Sequence, residues 1–232
     1  MKWLVEETQP IDPASQHQLV EALAKAEKGQ ARAAANLAIR LRNIVIHDTK
    51  KLFGVADIRL DTLVVHGQSR SDSFYQPTTH RFPGVRDRDR LPIDDSGLLV
   101  FYGLPRHFVD ISITVSRDRK DTNDLVTLLT ERLTSPQFKT TAATIIGLTS
   151  IAPHAAAIVA AVGAAATLGN LAAEILLRLT GNTIGLYHAS YLQYRDRFGL
   201  GRHPDEGEFH IKDFSFSYDV VIDKSIPTSD AR

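Results

Sequence analysis

The stretch Asn36 to Val65, NLAIRLRNIVIHDTKKLFGVADIRLDTLVV, constrains the fold more than any other part of the chain. Leu37, Ile39 and Leu41 alternate with Ala38, Arg40 and Arg42, the two-residue period of a half-buried strand. Ile44 and Ile46 resume the apolar side after Asn43. That slip predicts a bulge or bend, because one extra residue moves the following side chains to the other face. The segment DTKKLFG then reverses the chain, and Ile58, Leu60, Thr62 and Val64 share one side of the next run. Two alternating runs around a polar, glycine-containing loop predict a pair of antiparallel strands.

Ahead of this pair, Asp12-Pro13 is a helix start, and Leu19, Leu23 and Ala26 share a face until Gly29. Residues 1–35 are therefore expected to form an N-terminal helical segment. Behind it, His66 to Gly97 is a polar passage with a short strand expected around Phe74, and Arg86 to Arg90 alternates in sign like a solvated loop. Strands are predicted at Gly97–Gly103 and at His107–Ser116, the latter with Val109, Ile111, Ile113 and Val115 on one face. Asp121 to Asp124 caps a predicted helix, Ser135-Pro136 starts another, and Thr140 to Ala173 contains no Asp, Glu, Lys or Arg. Final strands are predicted at Thr183–Tyr194 and Glu208–Ile222, the second carrying Phe214, Phe216, Tyr218, Val220 and Ile222 at alternate positions. The expected class is α+β. It comprises a β-sandwich domain over 36–222, an Ala-rich helical insertion at about 122–181, and a flexible tail at 223–232.

Composition removes several functions. At 232 residues the chain is long enough to bury a core, and its formal net charge of zero gives no electrostatic case for nucleic acid binding. Cysteine is absent, which excludes disulfides, thiolate metal sites and a cysteine nucleophile. The opening MKWLVEETQPID is too short in apolar residues for a secretory signal, so a cytoplasmic location, with peripheral membrane association as its extension, is expected. The nine histidines form no metal-spacing pattern. Ser69, Ser71 and Ser73 lack a Gly-x-Ser-x-Gly elbow. Gly199-Leu200-Gly201 leads to no helix and reads as a turn. No residue set supports catalysis, and a non-enzymatic protein is expected.

The strand, the lysine-containing loop and the step Gly54-Val55-Ala56-Asp57 together resemble the opening of a C2 domain of the protein kinase C and synaptotagmin type. The resemblance covers about residues 36–125 and implies a C2-like antiparallel β-sandwich that docks on phospholipid or on a protein. It assigns the docking tip to Lys50, Lys51, Leu52 and Phe53, two cations for anionic headgroups and two apolar residues for the interface. The other reading of the tip is that Leu52 and Phe53 close the end of the core.

Calcium-binding members of that family offer Asp-x5-Asp in one loop and Asp-x-Asp-x5-Asp in another. Alignment here gives Lys51 and Asp57 in the first, and Ser116, Asp118 and Asp124 in the second. A calcium site completed by Asp48 or Asp121 is one reading. Asp118, Asp121 and Asp124 as helix-capping and loop residues is the other, and it prevails because Ca²⁺ demands several converging oxygens and an ammonium repels it. No cofactor is expected.

The uncharged stretch also has two readings. Ala142–Ala173 is either a helical pair packed within the soluble protein, the favoured reading, or a membrane-inserting hairpin kinked at Pro153. The expected function is docking on or acting at a phospholipid membrane without calcium. The alternative is a soluble protein-interaction or scaffold subunit.

Overall fold

The computed structural model describes residues 36–67, 75–118 and 183–223, together with Pro136 and Thr140. The elements in these stretches are ten strands, one four-residue helix and a 3-10 turn. The strands are β1 (Asn36–Ile46), β2 (Ala56–Gly67), β3 (Tyr75–Val85), β4 (Asp89–Arg90), β5 (Leu98–Gly103), β6 (Arg106–Arg117), β7 (Thr183–Leu192), β8 (Gly201–His203), β9 (Phe209–Ile211) and β10 (Phe214–Asp223). Helix α1 (Gln193–Asp196) and the turn Arg197–Gly199 join β7 to β8.

Two antiparallel sheets result. In the first, β1 pairs with β10; β4 and β5 share the other side of β1, and β8 and β9 share the other side of β10. Each outer position is thus filled by two short strands laid end to end. The second sheet runs β3-β2-β6-β7. The molecule is an antiparallel β-sandwich.

The core follows the alternation in the sequence. Leu37, Ile39, Leu41, Ile44 and Ile46 of β1 meet Ile58, Leu60 and Val64 of β2, the four aliphatics Val109 to Val115 of β6, and Phe214, Phe216 and Tyr218 of β10. The register of β1 against β10 shifts between Arg42 and Val45, where Asn43 takes a φ of 47°. That bulge lets Leu41 and Ile44 both point inward. Gly185 allows β7 to cross Phe214 closely, since a Cβ there would sit 2.5 Å from the ring and 2.9 Å from the Ile211 carbonyl oxygen.

The expected α+β class is overturned in the described residues, whose longest helical element is the four-residue α1. The N-terminal helical segment, the helical insertion at about 122–181 and the tail beyond Asp223 lie outside the described residues. β3 is an eleven-residue strand where only a short one was expected. Its polar composition and its two prolines, Pro77 and Pro83, hide it from a hydrophobic pattern, and both are tolerated because β3 is an outer strand with β2 alone beside it among the described residues. The single strand expected at Glu208–Ile222 is a hairpin, β9 turning into β10 through Lys212 at φ 54°.

One end of the sandwich gathers the β1–β2 loop, the end of β3, the start of β4, the end of β6, the start of β7 and the β9–β10 turn. The pairs Ile46↔Phe214, Ile46↔Asp89, Ala56↔Val85, Ile58↔Arg117 and Ser116↔Thr183 fix this grouping.

Candidate functional site

At that end, residues 47–55 leave the sheet, and backbone amides that lose ladder partners find others. His47 N–H donates to the Asp213 carbonyl at 2.7 Å, and Arg88 N–H donates to that of Ile46 at 2.6 Å. Asp87 Oδ1 accepts from both the amide and the hydroxyl of Thr49, at 2.7 and 2.8 Å. Asp57 Oδ1 accepts from Gly84 N–H at 3.0 Å, and Asp118 N–H donates to the Asp57 carbonyl at 2.7 Å. Loops from both sheets are thereby tied into one platform.

Lys50 is part of that platform. It takes a φ of 60°, its N–H donates to Asp48 Oδ1 at 2.6 Å, and its carbonyl accepts from Arg117 Nη1 at 3.2 Å. Its ammonium stands 2.7 Å from Asp213 Oδ2 and 2.9 Å from Asp48 Oδ2. Asp213 first, then Asp48, hold the ammonium above its ordinary pKa, and the bond from the Lys50 ammonium holds the Asp48 carboxyl below its own. Lys51 instead projects outward and caps the Val55 carbonyl, closing the turn that Gly54 allows with a φ of 84°.

Between these lysines' anchor points and Gly54 stand Leu52 and Phe53, 92% and 87% exposed. They do not close the core. A polar frame holds two large apolar side chains out in solvent, at a cost that burial against another surface would recover. Around them Asp48, Asp57, Asp87 and Asp89 spend carboxylate oxygens on loop amides, and Lys51, Arg86, Arg88 and Lys212 are exposed together with Asp57 and Asp87.

All four tip residues read from the sequence are exposed; Lys51, Leu52 and Phe53 form the apex, and Lys50 is ion-paired to Asp48 and Asp213 at its base. Of the calcium candidates, Asp48 meets Lys50, Asp57 binds Gly84 N–H, and Asp118 pairs with Arg81 Nε at 3.0 Å. Asp121 and Asp124 lie outside the described residues. Among the described residues no three His, Asp or Glu side chains converge in a metal-holding group.

A second polar group was not foreseen. The face of the β3-β2-β6-β7 sheet turned away from the other sheet carries Arg59, Asp61, Asp110, Ser112, Thr114 and Ser116, all at most 1% exposed. Arg59 Nε reaches Asp61 Oδ2 at 2.7 Å, and Thr79 donates to Asp61 Oδ1 at 2.8 Å. Burial nonetheless raises the Asp61 pKa, with Arg59 opposing it. Further along, His188 Nε2 lies 3.3 Å from Asp110 Oδ2 and its Nδ1 3.1 Å from Ser112 Oγ, while Ser190 Oγ donates to Asp110. Burial pushes the Asp110 carboxyl up to about 8 and the His188 imidazole down, so burial favours the neutral form of both. The order Ser112–His188–Asp110 has the contacts of a nucleophile relay, but Ser112 is fully buried in mid-strand. No signal in the sequence joins Asp110 to His188; the register Asp110↔Ser190 and Ser112↔His188 does so.

Comparison with protein-family models finds no match, and comparison with curated proteins finds none either. Among the described residues no helix is long and apolar enough to cross a membrane.

Proposed function

We propose that the protein is a non-enzymatic C2-like module that docks on anionic phospholipid membrane through the tip Lys51-Leu52-Phe53, without calcium. The observation that carries this reading is the near-complete exposure of Leu52 and Phe53 on a loop whose base is tied down. Two such side chains can enter the acyl boundary without unfolding anything, and the exposed cations Lys51, Arg86, Arg88 and Lys212 suit the headgroup layer. The antiparallel two-sheet sandwich is compatible with the C2-like resemblance drawn from Lys50 to Asp57. Calcium independence is supported by the carboxylates of this end, several of which already hold backbone amides, lysine or arginine.

Co-sedimentation with phosphatidylserine-containing vesicles, in calcium and in chelator, tests this. Binding to anionic but not neutral vesicles, equal in both buffers and lost in a Leu52→Ser, Phe53→Ser double variant that melts like the parent, is the expected result. Equal sedimentation of the double variant overturns the tip. Failure of the parent protein to bind any vesicle overturns the membrane reading and leaves a protein partner for these side chains.

A further inference from the structure

Lys50 and Lys51 are adjacent and chemically identical, yet the fold uses them differently. Lys50 is exposed, yet each of its polar groups has a partner within the chain. Its N–H and ammonium go to Asp48, its ammonium also to Asp213 in the β9–β10 turn, and its carbonyl to Arg117 at the end of β6. Three separate elements therefore meet on one residue. The left-handed backbone at Lys50, φ 60°, is uncommon for a residue with a Cβ and persists where surrounding contacts determine it. The residues that follow, Leu52 and Phe53, take their direction from this point.

We propose that Lys50 is the positioning residue of the docking tip: its ammonium clamps the β1–β2 loop to the β9–β10 turn and sets the angle of Leu52 and Phe53, rather than meeting a lipid phosphate. The inference rests on the membrane reading for its consequence, but the clamp itself is measurable without lipid. A headgroup ligand must shed its internal partners to reach a phosphate, and an ammonium already shared by two carboxylates gains little by exchanging them. Lys51, whose side chain caps only a carbonyl of its own turn, has no such competition.

The experiment compares Lys50→Met, Lys50→Arg and Lys51→Met in the full chain. Without lipid, amide hydrogen exchange across residues 51–55 is expected to accelerate in Lys50→Met, to stay near the parent rate in Lys50→Arg, and to accelerate less in Lys51→Met. With phosphatidylserine vesicles, Lys50→Met is expected to bind about fivefold more weakly and Lys50→Arg, which keeps the charge beside both carboxylates, to bind like the parent. Lys51→Met is expected to flatten the salt dependence of binding. Unchanged exchange in Lys50→Met, or exchange in Lys50→Arg as fast as in Lys50→Met, overturns the clamp. If the parent binds no vesicle, the membrane reading fails while the exchange comparison still decides the role of Lys50.

Discussion

The phenol oxygens of Tyr187 and Tyr218 lie 3.0 Å apart, one residue from each sheet, so a hydrogen bond crosses the interior of the sandwich. Tyr191 from β7 also bonds to the Tyr218 hydroxyl and reaches His203 Nδ1 at 3.3 Å. His203 stacks on Tyr218 with ring centroids 4.9 Å apart, and its Nε2 is 2.6 Å from the Gly199 carbonyl oxygen. Tyr218 is the centre of this network and is fully buried. Tyr218→Phe is expected to cost about 1–3 kcal/mol, because the partly buried Tyr187 and Tyr191 hydroxyls each lose a partner. Tyr187→Phe, which leaves the Tyr191 bond in place, is expected to cost less. Urea unfolding of the two variants checks the order.

Arg59 and Asp61 form an ion pair with almost no access to solvent. Removing the guanidinium alone strands a buried carboxylate, which costs about 3–5 kcal/mol. The double change Arg59→Met, Asp61→Leu is expected to destabilise by less than Arg59→Met alone. A double-mutant cycle by chemical denaturation measures the coupling.

The Asp110 carboxyl, pushed up to about 8 by burial, gives a pH dependence of definite sign. An unfolded aspartate ionises near pH 4, so between about pH 4 and 8 the native chain holds the extra proton and stability falls as pH rises. His188, held low by burial, acts in the opposite direction, but only up to about its ordinary titration near pH 6.5. The interval from pH 7 to 8 therefore isolates Asp110. Asp110→Asn is expected to be more stable than the parent at pH 8 by at least about 1 kcal/mol, since each tenfold change in proton affinity on folding is worth about 1.4 kcal/mol. The advantage shrinks toward pH 4. Denaturation midpoints across that range check it.

Lys51 and Lys50 separate again under charge reversal. Lys51→Glu is expected to weaken binding to anionic vesicles by roughly 2 kcal/mol, at about 1 kcal/mol per basic charge lost and a similar amount for the acid gained, with little change in melting. Lys50→Glu places a third carboxylate beside Asp48 and Asp213 and is expected to lower the melting temperature without any lipid present. Parallel thermal melts and flotation assays distinguish the two.

Much of the sandwich was legible in the chain. The bulge at Asn43 could be read because Leu41 and Ile44 break the two-residue rhythm, and β6 and β10 because their apolar residues alternate without interruption. β3 was not, since Thr78, Thr79, His80 and Arg81 carry no hydrophobic alternation; pairing with β2 makes it a strand. At the site, the C2-like resemblance pointed to Leu52-Phe53 as a tip and left open that the pair closes the core; their exposure decides between the two. The division of labour between Lys50 and Lys51 was not, because it depends on Asp213, which lies far away in sequence and arrives only when β10 pairs with β1. The Asp110–His188 contact was hidden for the same reason. The α+β expectation came from capping signals and an uncharged run, all of it beyond the residues that form the two sheets.

The two prolines of β3 have a consequence for how the protein behaves in concentrated solution. Among the described residues β3 is an outer strand, and prolines in such a strand, which carry no amide hydrogen, weaken pairing with a further strand. Replacing them, as Pro77→Thr and Pro83→Thr, is expected to favour self-association in concentrated solution, which light scattering against the parent checks.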